Sequence, residues 1–304
     1  MNTRNEQNIL AFSACGALFF AVLALIWGLL ARSQMIMFDG IYSFISLILT
    51  GLYFYVAKNI EKGRDESFPF GRTQLEPMVV VVQSVVLMII CIKAFSSAVI
   101  SLFSGGQRLD SLSGMTYAVV GVIGCFIAWN YIGHKAGKAS HRSELISTLA
   151  SQWLMDTLLS LAVLIGFFIG HIIRFSIYSN YSRYIDPLMV MIAVLFFVRQ
   201  PILSFIEGIK GILVMAPEKT IYNASKEAIE EIASKRNFED IILRLGKAGR
   251  ELIYEIDLIV GDPNDSYSIA EMDAMREELE SRLRSLFNRP LRLYLSFVHE
   301  KNQV

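Results

Sequence analysis

Two pairs of oxygen-bearing side chains sit at helical spacing inside strongly apolar sequence. Asp39 and Ser43 fall in 35-MIMFDGIYSFISLILTG-51, and Gln152 and Asp156 fall in 149-LASQWLMDTLLSLAVLIGFFIG-170. Residues four apart share one helix face, so each segment presents a carboxylate and a neutral oxygen together. An ionised carboxylate at the centre of a bilayer costs ~2.5–3.5 kcal/mol on insertion scales, which makes such an acid a functional residue by default. If the two segments face each other, they enclose one cation with up to four oxygen ligands, and the two aspartates neutralise a divalent charge. Hard oxygen donors suit Mg, Mn or Ca better than ions that favour thiolate or imidazole. Zinc stays open where water or backbone carbonyls complete the shell. Met35, one turn before Asp39, either adds a thioether that favours softer metals or simply packs. Ser43 and Gln152 likewise either ligate or hydrogen-bond between membrane helices.

The elements that carry these residues are membrane spans. Of the 304 residues, 54% are hydrophobic and the mean hydropathy is +0.46, well above a soluble enzyme. Apolar runs long enough to cross about 30 Å of hydrocarbon fall at 9–30, 35–57, 77–103, 112–132, 149–170 and 186–206. The first is expected to stay in the mature chain, because it is longer than a signal-peptide core and no small-residue cleavage pattern follows it. Basic residues mark the cytoplasmic side. Arg4, Lys58, Lys62, Arg64, Arg72, Lys135, Lys138 and Arg142 flank one side, against Arg32, Arg108, Arg174 and Arg183 on the other. A multi-pass protein of the cell membrane with both termini cytoplasmic is predicted, its lipid bilayer being one partner.

Hydropathy falls after residue 206 and the pattern changes period. The segment 218–235 places Ile221, Ala228, Ile229 and Ile232 on one face of a charged helix. Two β-rich runs within 239–262, around Gly246 and Gly249, read as a hairpin, followed by a charged helix over 268–287 and a strand over 290–299. Leu291, Leu293, Leu295 and Phe297 alternate along that strand. The order αββαβ predicts a small two-layer α+β domain. The expected division is a six-helix transport domain over 1–210 and a cytoplasmic αββαβ, ferredoxin-like domain over 211–304. Neither part has a basic stripe suited to nucleic acid.

With six spans, polar pairs on the second and fifth, and this tail, the chain resembles the cation diffusion facilitators, proton-coupled exporters of divalent metals. The loop 68-FPFGRTQLEP-77 is similar to the family's H-P-[YF]-G-x-x-[RK]-x-E signature, with Pro69, Phe70, Gly71 and Glu76 in register, and 185-IDPLMVMIAV-194 is similar to its D-P segment. The resemblance implies metal ligands at Asp39, Ser43, Gln152 and Asp156. Zinc-transporting members usually carry D-x-x-x-D on the second span and H-x-x-x-D or D-x-x-x-D on the fifth, so Ser43 and Gln152 are departures. Phe68 and Arg72 stand where members often have histidines, and 270-AEMDAM-275 stands where many have Ala-His.

The implied mechanism is alternating access in a homodimer paired through the cytoplasmic domains, a divalent cation leaving as protons return. The metal is substrate, and no permanently bound cofactor is expected. Without a histidine in the set, coupling runs through Asp39 and Asp156, with at most two protons per ion. Two alternatives stay open: a non-transporting scaffold or regulatory homologue that lost part of the site, and a transporter of a non-divalent cation. Enzymatic hydrolysis is the least supported class, since no Walker lysine motif or nucleophile elbow is present; the expected activity is secondary active transport.

The remaining polar residues have simpler readings. Lys93 either snorkels to the interface or meets an acid such as Asp110. Glu76 and Asp186 suit helix starts. His134 and His141 belong to a basic connection, His299 to a strand end, and Trp153 to packing. Cys15, Cys91 and Cys125 lie on three spans without CxxC spacing and read as small core residues.

Overall fold

The computed structural model describes residues 3–60, 65–69, 71–107, 111–137, 144–177, 179–234, 236, 238–261, 267–287 and 289–298. Phe70, Asp110, His141 and His299 lie outside the described residues, as do the basic Lys62, Arg64, Arg108, Lys138 and Arg142. Helices α1 (Thr3–Ala31), α2 (Gln34–Ile60), α3 (Leu75–Phe103), α4 (Ser111–Gly137), α5 (Glu144–Arg174), α6 (Ile185–Phe197) and α7 (Arg199–Ile212) come first. Then follow α8 (Lys219–Ala233), β1 (Asp240–Ala248), β2 (Glu251–Ile259), α9 (Ile269–Phe287) and β3 (Leu291–Val298). Among the described residues six segments are long and apolar enough to span a membrane, as the sequence predicts. Their outward faces carry bare apolar side chains such as Leu29, Phe103 and Ile192, as expected of helices that face lipid.

The sixth span departs from the single uninterrupted helix expected over 186–206. It breaks at Val198 into α6 and α7. Pro201 is the cause: it has no N–H to donate to the Phe197 carbonyl, and its ring crowds that oxygen. Val198 still donates to Val194 and Ile202 to Val198, so the backbone bonds resume on either side.

The chain divides into two compact units. The first comprises Met1–Leu52 and Gln83–Ile202. In it, α1 and α2 form an antiparallel hairpin whose backbones touch. A Cβ on Gly28 would lie 2.8 Å from the Met37 nitrogen, and one on Gly40 would lie 2.8 Å from that of Leu25, so glycine is what permits the approach. Between the helices Arg32 turns the chain in the left-handed region, with φ 52°. Helix α4 packs along much of α5, Gly114 lying against the Phe167 ring and Gly121 against Ser160. Met35, Ile36, Cys91, Phe167 and Val190 meet in the apolar centre of this unit.

The second unit comprises Tyr53–Val82 and Leu203–Val304. Its sheet has the order β1-β2-β3, with β1 and β2 antiparallel and β2 and β3 parallel. The α9 crossover is what allows that parallel pairing. The alternation read from the sequence is the one that packs: Leu295 is buried, and Leu291, Leu293 and Phe297 lie against Ile229, Ile256 and Leu279. The hairpin turns at Gly249 and Arg250, Gly249 having φ 59°, the left-handed conformation that a type II′ turn needs at its first central residue. Gly246 instead lies inside β1. Tyr254 is fully buried, its hydroxyl 3.0 Å from that of Ser225; burial pushes this phenol above its ordinary pKa. Ser268 and Glu271 form a capping box at the start of α9, with Ser268 N–H donating to the Glu271 carboxylate at 2.8 Å. That bond holds the Glu271 carboxyl below its ordinary pKa.

The family-like loop is also anchored within this unit. Phe68 and Arg72, at positions where histidines would make a metal site, instead close the loop: Arg72 pairs with Asp65 and stacks over the Phe68 ring at 4.5 Å. Glu76 accepts a hydrogen bond from the Tyr53 hydroxyl at 2.5 Å and from Arg250 Nε at 2.9 Å, while Arg250 also donates to the Tyr53 oxygen at 2.9 Å. Thr73 donates to Glu251 at 2.9 Å, and Arg292 donates to the same carboxylate. Glu76 therefore does more than complement a helix dipole. Arg250→Ala is expected to cost roughly 1–2 kcal/mol in unfolding measured in detergent, because two charge-assisted bonds to a half-buried carboxylate network are lost. Arg276→Ala, at an exposed pair 3.9 Å apart, is the control and should cost close to nothing.

Candidate cation site

Helix α2 is fixed before it reaches Asp39. Ser33 is its N-cap, its hydroxyl accepting from the Ile36 N–H at 3.2 Å. The fully buried Asp186 of α6 completes the cap, accepting from Ser33 Oγ at 2.6 Å, the Gln34 N–H at 2.7 Å and the Met35 N–H at 3.3 Å. The helix start expected for Asp186 is correct, but the carboxylate serves two helices: it occupies the first turn of α6 and satisfies orphan donors of α2. Gly40, directly after Asp39, seats α2 against α1.

Asp39 is half-buried in the first unit and accepts a hydrogen bond from Tyr117 of α4, hydroxyl to Oδ2, at 3.0 Å. Asp156 of α5 is also half-buried and lies within electrostatic reach of Asp39. The two acids that the sequence singles out thus share one neighbourhood between α2, α4 and α5. Cys125 of α4 completes its edge, within reach of both carboxylates and hydrogen-bonded to Ser160. Ser43 is half-buried one turn beyond Asp39, whereas Gln152, one turn before Asp156, is exposed. Among the described residues no group of three or more His, Cys, Asp or Glu side chains converges on one point. What is present is a pair of carboxylates among hydroxyl groups.

Sequence reasoning did not find Tyr117 or Ser160. Tyr117 stands on an apolar face of α4 and only the packing of that helix brings it to Asp39, whereas Ser160, four residues after Asp156 on α5, could have been found from the same helical spacing that pairs Gln152 with Asp156. Met35 packs, being 2% exposed in the apolar centre with its backbone N–H on Asp186. Trp153 also packs: its indole N–H donates to Ser13 Oγ at 2.9 Å and its ring lies against Gly16. Cys91 and Cys125 are buried as expected, but Cys15 is exposed, on the outward side of α1. Lys93 is exposed along α3 and His134 is exposed near the end of α4.

The family model for the cation efflux transmembrane domain matches residues 10–213. The chain belongs to the cation efflux family. This family, the cation diffusion facilitators, moves metal cations across membranes, so this member is a multi-pass transport protein. A relative, the manganese efflux system protein MneS of Bacillus subtilis (strain 168), is 23% identical over 273 residues, spanning 90% of this chain and 88% of the relative. The match to this relative covers more residues than the family model does, so it extends past the transmembrane domain into the C-terminal α+β domain.

Proposed function

We propose that this chain is a proton-coupled exporter of divalent metal cations of the Mn, Fe(II) and Zn class, with Mn²⁺ foremost. The observation that carries the reading is the shared neighbourhood of Asp39 and Asp156 on helices α2 and α5. Two carboxylates balance a divalent charge. Ser43 and Gln152, one turn along each helix, supply neutral oxygens, and an all-oxygen set favours Mn²⁺ over softer ions. The relative named for manganese efflux supports the same metal. The ion binds from the cytoplasm, displaces protons held on the two acids, and leaves on the far side as protons return. Residues 1–210 carry transport and 211–304 form the dimerisation and regulatory domain of a homodimer in the cell membrane, with both termini cytoplasmic by the distribution of Lys and Arg.

Uptake into inverted vesicles, with Mn²⁺, Fe²⁺, Zn²⁺, Cd²⁺, Co²⁺ and Mg²⁺ offered in parallel, tests the reading. Mn²⁺ should accumulate fastest. Accumulation of none of them by folded, dimeric protein would favour a scaffold that kept the fold and lost the site.

A further inference from the structure

The geometry points to Tyr117 as a specificity-determining residue: by donating to Oδ2 of Asp39 it biases that carboxylate toward one-oxygen ligation and so disfavours Ca²⁺ relative to Mn²⁺. The inference rests on the transport reading above and adds to it a residue from α4, outside the two helices that carry the ligands.

An ionised carboxylate only accepts hydrogen bonds, so the phenol is the donor in the 3.0 Å contact. With one lone pair of Oδ2 taken by the phenol, Oδ1 is the oxygen with both lone pairs open to a cation. The phenol is not free to swing aside. Tyr117 is 8% exposed, and its ring lies 6.5 Å from that of Trp27, tilted by 45°. Trp27 in turn donates its indole N–H to the Ser113 carbonyl at 3.0 Å and to Ser113 Oγ at 3.1 Å. Ser113 is one turn before Tyr117 on α4, so the α1 indole pins the turn from which the phenol projects. The chain Trp27, Ser113, Tyr117, Asp39 holds the carboxylate in one orientation.

The consequence depends on ion size. Ca²⁺ takes six to eight oxygens at about 2.3–2.6 Å and often binds a carboxylate through both oxygens, whereas smaller hard ions take about six ligands in octahedral geometry and accept one oxygen from each carboxylate. A site in which Asp39 offers mainly one oxygen among few other donors suits a six-ligand shell completed by water, and gives less to Ca²⁺, which has more positions to fill and gains more from a two-oxygen carboxylate.

The test is equilibrium binding of Mn²⁺ and of Ca²⁺ to the purified full-length protein in detergent, comparing wild type with Tyr117→Phe. Removing the hydroxyl frees Oδ2, and the ratio of the Ca²⁺ Kd to the Mn²⁺ Kd is expected to fall about tenfold, mainly through tighter Ca²⁺ binding. Damage to packing alone would weaken both ions together and leave the ratio in place. If Tyr117→Phe does not fold, Tyr117→Leu, which also lacks the hydroxyl, gives the same ratio test. Wild type that binds Mn²⁺, with an unchanged ratio in the variants, overturns the role of Tyr117 while leaving the transport reading intact. Wild type that binds neither ion overturns both.

Discussion

Asp156→Asn and Asp39→Asn should each reduce Mn²⁺ transport by roughly a hundredfold or more, while Ser43→Ala and Gln152→Ala should each reduce it by only about three- to tenfold. The difference follows from charge. Asparagine keeps the size of aspartate and removes the negative charge, leaving a divalent ion in a low-dielectric site with one countercharge instead of two. Breaking a buried ion pair by removing one partner costs about 3–5 kcal/mol, and about 1.4 kcal/mol is already tenfold in affinity. A neutral oxygen is worth less because water can replace it, the more so at the exposed Gln152. Initial rates in proteoliposomes over a range of Mn²⁺ concentrations separate the two groups. If Asp39→Asn transports at the wild-type rate, that acid is structural and the site lies elsewhere.

The second large effect is expected at Asp186, which touches no ion in this account. Asp186→Ala should lower unfolding stability in detergent by about 3 kcal/mol or more, since it strands the Ser33 hydroxyl and the N–H groups of Gln34 and Met35, and each unsatisfied buried donor costs about 1–3 kcal/mol. Asp186→Asn should do little better: its amide nitrogen would turn a donor toward groups that are themselves donors. Ser33→Ala should cost about 1 kcal/mol, the usual value for an N-cap serine. Thermal unfolding of the three variants gives the ranking. Wild-type stability in Asp186→Asn would show that α2 is held by something other than this cap.

These two positions differ in how legible they were. Asp39 and Asp156 stand out in sequence because an acid inside an apolar span has no cheap explanation. Asp186 also stands out, but only as a residue at a helix start. That it caps α2 depends on α6 lying beside the α1–α2 turn, and a contact between residues so far apart in the chain leaves no local pattern. Tyr117 was hidden for a different reason: a tyrosine on an apolar helix reads as packing, and its ring does pack. The hydroxyl acquires its role only when α4 turns it toward Asp39.

In the C-terminal domain the period-two alternation of Leu291, Leu293, Leu295 and Phe297 placed β3 correctly, because burial on one sheet face leaves a direct trace in sequence. The turn was less clear. Two glycines lie close together there, and only the positive φ at Gly249 distinguishes the turn residue from Gly246 inside β1. The break at Val198 was signalled by Pro201 and by the polar Arg199 and Gln200 before it, but a window long enough to find a membrane span averages over these residues and joins α6 and α7.

The most direct test of the central claim follows both exchange partners at once. Purified protein is reconstituted into liposomes containing a pH-sensitive dye, Mn²⁺ is added outside, and Mn²⁺ entry and lumenal pH are recorded together, beside the Asp39→Asn/Asp156→Asn double variant. The account predicts that Mn²⁺ entry is accelerated by an acidic lumen, that protons leave as Mn²⁺ enters at no more than two per ion, and that the double variant moves neither. Mn²⁺ entry that ignores the pH gradient, or persists in the double variant, would contradict it.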